Sequence, residues 1–217
     1  MRCRMWRSAW HARRDGPRPE DTHVHDCAES GLDHRNLKDM DIIATSAFEF
    51  ETRRMRLRLL NSNDEALFCS LYTDPSVMRF IGPLLSARQA ASRFQWIVAG
   101  MRQLPASWLY LVMSEKESGQ SLGICGVPQF SASATRFEVG LVLTSGARSR
   151  GYAREGLAAL MERLFSLSSV DEIQAKFFAE NQAARQLVVA LGFRDCTDAS
   201  MEPEHLRERT WSIHRAS

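Results

Sequence analysis

The sequence predicts an α/β (α+β) domain, built on a mixed, mostly antiparallel central sheet flanked by helices. Two observations carry that expectation. Three strand-like runs follow one another between residues 108 and 143 with turn residues between them, and strands then alternate with helical patterns to the C-terminus. A third observation sets the scale: the 217 residues are 44% hydrophobic, enough for one core. No run approaches the roughly 18 apolar residues of a membrane span, so no membrane partner is expected.

Residues 1–39 stand apart. Only Val24, Leu32 and Leu37 there belong to the Ile/Leu/Val/Phe set, far below the roughly 20% under which chains rarely fold alone. The segment is expected to be a disordered extension or, with Met40 as the true start, untranslated; the folded domain is then 40–217. His23, His25, Cys27 and His34 lack the spacing of a metal site, and no metal is expected.

The remaining elements follow in order. Residues 52–59 alternate basic and apolar side chains, a half-buried strand with an arginine face. Asn63 and Asp64 are placed to cap a helix to about Tyr72, which Asp74-Pro75 ends. A helical turn over 76–81 breaks at Gly82-Pro83. Ala90, Phe94, Ile97 and Met101 share one face of a helix over 86–101. Strands over 108–113, 121–127 and 136–143 are separated by Glu117-Ser118-Gly119 and by 131–135. Helix 152–167, strand 172–179, helix 182–191 and two weaker strands, 193–197 and 209–214, complete the chain.

The balance of charge is close to neutral: 28 Lys and Arg against 26 Asp and Glu, net +2. A dedicated nucleic-acid binder carries a far more basic face, so no nucleic acid is expected. Twenty-five of the basic residues are Arg, a skew that reads as composition. Cys3, Cys27, Cys69, Cys125 and Cys196 are odd in number and contain no CxxC pair, and no secretory signal precedes them. The reducing cytoplasm is the expected compartment.

The most informative stretch is the strand 137–143 followed, through 144–147, by Arg148-Ser149-Arg150-Gly151-Tyr152-Ala153-Arg154-Glu155. A strand leading through a small-residue turn into a helix aims unpaired N–H groups and the positive helix end at one point, an arrangement that holds phosphates. Gly151 lets the backbone approach an anion, Ala153 keeps the helix start uncluttered, and Arg148 and Arg150 add charge. Ala153, Leu157, Leu160, Met161 and Leu164 give that helix an apolar face. Neither GxxxxGK[ST] nor GxGxxG is present, which excludes the usual nucleotide hydrolases and dinucleotide oxidoreductases. A basic helix start containing Gly is also an ordinary structural feature.

Arg148-x-x-Gly151-x-Ala153 resembles the [QR]xxGx[GA] acyl-CoA pyrophosphate signature of the GNAT superfamily of N-acetyltransferases. Thr52 to Arg58 looks like the TxRLxLR opening strand of its Rim-type branch, the ribosomal-protein and N-terminal alanine acetyltransferases. Glu138-Val139-Gly140 is similar to that family's E-[IL]-G strand, and Asn181-x-x-Ala184 through Leu191-Gly192-Phe193 to its Nxx[SA]…LGF segment. The resemblance covers about 48–214 with four motifs in order. It implies an acyl-CoA N-acyltransferase fold whose sheet is splayed between the strand ending at Leu143 and the strand 172–179, with acetyl-CoA as co-substrate. The pantetheine arm would bond the backbone of Leu141, Val142 and Leu143 like an added strand. The pyrophosphate would sit in the segment Arg148, Ser149, Arg150, Gly151, Tyr152, Ala153 and Arg154, on the N–H groups from Arg150 onward. Asn181 would turn its amide to the cofactor, unless it is an ordinary helix cap.

Acetyl transfer to a primary amine needs a proton acceptor beside the thioester. Glu138 is the candidate base: it shares a strand face with Arg136 and Gly140, opposite Phe137, Val139, Leu141 and Leu143. Burial near the sheet centre would raise its pKa; the alternative is a structural pair with an arginine. Val188 stands where many family members have Tyr, and Ala184 where the Rim-type branch often has Ser. Tyr152 is then either a substitute acid or a packing residue, and Cys125 either a nucleophile or a buried apolar group. Trp96, Trp108 and the loop from Pro128 through 135 are acceptor contacts or core. The acceptor is a peptide N-terminus, amino acid, polyamine or antibiotic amine, and the protein a monomer or homodimer. A non-catalytic acyl-CoA sensor is the rival reading, and nucleic-acid binding through Arg53, Arg54, Arg56 and Arg58 a third, against a solvated face.

Overall fold

A computed structural model of the chain describes residues 45–103, 106–131, 134–197 and 208–215; the expectations for 1–39 lie outside them. The strands are β1 (Phe50–Glu51), β2 (Met55–Leu59), β3 (Trp108–Glu115), β4 (Ser121–Pro128), β5 (Arg136–Glu138), β6 (Gly140–Leu143), β7 (Glu172–Phe178), β8 (Arg194–Asp195) and β9 (Glu208–His214). They form two sheets, in the orders β1-β2-β3-β4-β6 and β5-β7-β9-β8. All neighbours are antiparallel except β5 and β7, which run parallel. The helices are α1 (Glu65–Tyr72), α2 (Pro75–Met78), α3 (Ala87–Met101), α4 (Tyr152–Leu167) and α5 (Gln182–Ala190).

Three expectations need correction. Residues 52–54 are a turn rather than strand: Met55 N–H donates to the Thr52 hydroxyl oxygen at 3.0 Å, and Thr52 N–H to Met55 O at 2.8 Å. The side chain that caps is that of Asn61, on the 3-10 turn Ser62–Asp64 leading into α1; Asp64 holds the N-cap position of α1 without a side-chain cap bond to it, and Asn63 lies within the turn. Asp64 takes the reciprocal position, accepting from Asn61 N–H at 2.9 Å and from both ends of the Arg58 fork at 2.8 and 2.7 Å, a bidentate pair that explains how a carboxylate sits there buried. The run 136–143 is divided between the two sheets, and that division builds the site.

Helices cover both faces. On the face of Trp108 and Tyr110, α3 approaches so closely that a Cβ on Gly100 would stand 2.5 Å from the Trp108 ring. On the opposite face α4 lies on the sheet at Gly156, where a Cβ would meet Met113 at 2.6 Å. Val112, Ile124 and Val142 fill the first side, and Leu57, Leu111, Met113 and Cys125 the second. Phe68 stacks on Tyr72 at 4.1 Å and tilts against Phe94 at 5.5 Å, locking α1 to α3. No described helix is long and apolar enough to cross a membrane, and the described residues include no group of three or more His, Cys, Asp or Glu suited to a metal.

Candidate active site: a split strand, an uncapped helix and a buried carboxylate

Val139 N–H donates to Gln174 O of β7 at 2.8 Å, and Thr144 N–H donates the other way, to Leu122 O of β4, at 2.9 Å. Successive peptide groups of an extended strand point to opposite edges. Gly140 and Val142 therefore face β4, opposite Gly126 and Ile124. Leu141 and Leu143 face the β7 side, where pairing has ended at Glu138 and Gln174. The two sheets part at this point. Of Leu141, Val142 and Leu143, it is Leu141 and Leu143 that turn peptide groups to the gap, as an edge strand presents them to a partner.

From Leu143 the chain passes through a 3-10 turn (Ser145–Ala147) to the loop before α4. Ser149 and Gly151 both have positive φ, 59° and 80°. Two left-handed residues within three positions curl the backbone into a concave nest of N–H groups. Gly151 is the residue before α4 and offers no side-chain cap, whereas α3 and α5 are capped by Ser86 and Asn181. The first-turn N–H groups of Tyr152, Ala153 and Arg154 thus have neither an intrahelical acceptor nor a cap. Arg148, Ser149, Arg150 and Gly151 are exposed.

The arginines around the loop make distinct contacts. Arg150 turns to Glu115 at 3.4 Å and lies over the Tyr152 ring at 5.1 Å. Arg148 is close enough to Asp74, which caps α2, to help lower that carboxyl's pKa, chiefly set by hydrogen bonds from Ser76. The residue that braces the loop is Arg54. It donates to Arg150 O at 2.9 Å, lies over Tyr152 at 4.5 Å, and would stand 3.3 Å from a Cβ on Gly151.

Arg54 is held in turn by Glu155. That carboxylate accepts from Thr52 Oγ1 at 2.7 Å, Arg54 N–H at 2.9 Å and Arg54 Nε at 2.7 Å. Burial pushes the Glu155 carboxyl up, but these three bonds outweigh it and carry the pKa below its ordinary value. A lowered carboxyl contributes stability that is complete above its unfolded pKa, about 4.3, and is lost as pH falls through the folded value. Glu155→Gln is accordingly expected to lower Tm by about 3–6 °C, for a loss of about 1–2 kcal/mol. The gap between wild type and variant should hold from pH 8 to 5 and shrink below about pH 4, measured by thermal unfolding.

Glu138 ends β5 with only 10% of its side chain exposed, and Lys176 of β7 places its ammonium 3.0 Å from Oε2. Arg136 pairs instead with Glu172 at 2.6 Å. Lys176, and not the neighbouring Arg136, thus forms an ion pair with the candidate base. From β3 the wholly buried Tyr110, its pKa raised by burial, feels the charges of Glu138 and Arg93 and the neighbouring Tyr72.

The remaining candidates fall into place by their contacts. Tyr152 is buried and donates its hydroxyl to Glu115, which holds the phenol pKa above its ordinary value. Val188 is buried and offers no polar group. Burial pushes the Cys125 thiol up to about 12, which leaves it protonated and unreactive at neutral pH. Asn181 caps α5 through its oxygen, accepting from Ala184 N–H at 3.1 Å. Trp108 is core, with Trp96 edge-on against it at 4.7 Å. Residues 132–133 of the expected acceptor loop lie outside the described residues.

Sequence reading missed Lys176, Glu115 and the role of Glu155. Lys176 shares a strand face with Gln174 by simple alternation, but only the β5–β7 register brings it to Glu138.

A family model described as "Acetyltransferase (GNAT) domain" matches residues 54–194. The Bacillus subtilis (strain 168) protein YkkB is 29% identical over 144 residues, covering 65% of this chain and 82% of that protein. The Bacillus licheniformis protein p20, described as an uncharacterized N-acetyltransferase, is 26% identical over 145 residues, covering 66% of this chain and 80% of that protein. The spermidine N-acetyltransferase of Vibrio cholerae, solved with CoA and spermine, superposes with a TM-score of 0.63 at 14% identity, covering 75% of this chain and 96% of that one.

Proposed function

The chain belongs to the GNAT acetyltransferase family, and we propose that it transfers an acetyl group from acetyl-CoA to a primary amine by direct attack of the amine on the thioester. The observation that supports this most is the continuity of the gap with the uncapped helix. The free edge at Leu141 and Leu143 runs into the nest at Ser149 to Gly151 and the first turn of α4. A flexible arm attached to a diphosphate matches that sequence of an extended edge followed by an anion seat. Asn181, whose oxygen is held by α5, has its amide N–H₂ to offer the arm.

Acetyl-CoA supplies the activated acyl group. The protein holds the thioester against the parting of the sheets, and Glu138, at the last rung before the gap, accepts the amine's proton as the new C–N bond forms. The C–S bond breaks and the thiolate leaves. With Val188 buried and Tyr152 bound to Glu115, solvent protonates it; a thiol of pKa about 8.5 leaves without an acid. The acceptor is a peptide N-terminus, as the Rim-type motif at Thr52 to Arg58 suggests, or a small-molecule amine. The free thiols of Cys69, Cys125 and Cys196 support a reducing, cytoplasmic setting.

Acetyl-CoA at 100 times its Kd is expected to add about 2.7 kcal/mol of stability, a Tm rise of about 5–11 °C in a chain of this size. An unchanged Tm at millimolar acetyl-CoA would remove the cofactor assignment. A rise in Tm without thiol release across a panel of peptides and amines is the behaviour of an acyl-CoA sensor.

A further inference from the structure

We propose that the acceptor is a zwitterion, a free amino acid or a close analogue whose carboxylate lies within about 3 Å of the reacting nitrogen, and that Lys176 selects it. This rests on the acetyltransferase reading above and narrows its substrate.

Lys176 occupies a particular point. In register, β5 pairs Glu138 with Gln174 of β7, and continuing the ladder would set Lys176 opposite Gly140. Gly140 has instead left with β6 to pair with Gly126 of β4. Lys176 therefore stands on the far bank of the gap at its first step, and its ammonium reaches back to Glu138 at 3.0 Å. Its side chain is 35% exposed, against 10% for Glu138.

The surface around the pair is polar. Glu138, Gln174, Ser212 and Arg194 form one row across four strands, with Lys176 beside Thr210 in the next. The opposite face of β7 carries Ile173, Ala175 and Phe177, all buried. The face that bears the pair carries polar groups, Ser212 among them buried, and suits a charged guest better than an apolar one.

A partly exposed ammonium 3.0 Å from a largely buried carboxylate is complementary to the same pair reversed. In an α-amino acid the nitrogen and a carboxylate oxygen are about 3 Å apart, as the N–Cα and Cα–C bond lengths require. Its amino group set at Glu138 brings its carboxylate to Lys176, where two charge-assisted contacts form together. The ammonium has three donors and Glu138 takes one of them. A peptide N-terminus presents a neutral carbonyl at the same place. A polyamine presents a second cation, and like charges there repel.

The test uses initial rates of thiol release from acetyl-CoA by the full chain. The acceptors are the standard amino acids, their matching amides, tripeptides and spermidine, and the proteins are wild type, Lys176→Met and Lys176→Arg. At least one free amino acid is expected to turn over with kcat/KM about tenfold or more above its amide. Lys176→Met should bring that ratio to about one, and Lys176→Arg should restore it. An amide, tripeptide or spermidine used as well as any amino acid overturns the proposal, and this wild-type comparison decides even if a variant fails to fold. An equal loss on every acceptor in Lys176→Met also overturns it, because it assigns the lysine to the base or the thioester. So does turnover of no amino acid by protein that binds acetyl-CoA. Failure to bind acetyl-CoA defeats the acetyltransferase reading itself, and this proposal with it.

Discussion

Glu138→Gln is expected to lower kcat by about 10²–10³-fold while leaving the affinity for acetyl-CoA unchanged. Glutamine preserves the shape of the side chain and still offers Lys176 a carbonyl oxygen, but it cannot take a proton from the amine. Lys176 is about a third exposed, so water replaces the lost counter-charge and the stability cost stays below about 1 kcal/mol. The deficit should narrow as pH rises toward about 10, because bulk solvent then supplies the neutral amine that the base otherwise generates. Steady-state kinetics from pH 6 to 10, with acetyl-CoA binding measured separately, give the answer. A variant as active as wild type at every pH removes Glu138 as the base.

Gly151→Val should have the second large effect, on the cofactor and not on the chemistry. At φ of 80° a β-branched residue costs about 1–2 kcal/mol, and its Cβ would press on Arg54, whose Nη2 stands 3.3 Å away. The added methyl groups also cover the first-turn N–H groups of α4. A Tm loss of about 3–8 °C and a fall of more than about 10²-fold in acetyl-CoA affinity follow. Affinity for pantetheine, which lacks the diphosphate, should change little. Equal weakening of both ligands would mean that the variant distorts the whole gap.

Much of this fold is legible in the sequence, because the elements obey local rules. The α3 helix begins at its Ser86 cap, and α4 follows the spacing of Leu157, Leu160 and Leu164. Loop and base candidates were legible because Gly151 and Glu138 sit in short motifs with their own chemistry. What could not be read depends on pairing across the chain. Residues 52–54 alternate like a strand, yet Thr52 and Arg54 are drawn to Glu155, about a hundred positions away. Val139 ends one ladder as Gly140 begins another, a break with no signature in the alternation of Phe137, Val139, Leu141 and Leu143. Lys176 meets Glu138 only through that same register.

The central claim is that the free edge at Leu141 and Leu143, together with the loop before α4, receives acetyl-CoA. Residue-resolved amide hydrogen exchange by NMR, with and without acetyl-CoA, tests it directly. Exchange should slow at Leu141, Leu143 and Ser149 to Arg154, and stay unchanged at Val142, which β4 already protects. Saturating acetyl-CoA that leaves Leu141, Leu143 and the loop amides as they were, with protection appearing elsewhere, would contradict the account.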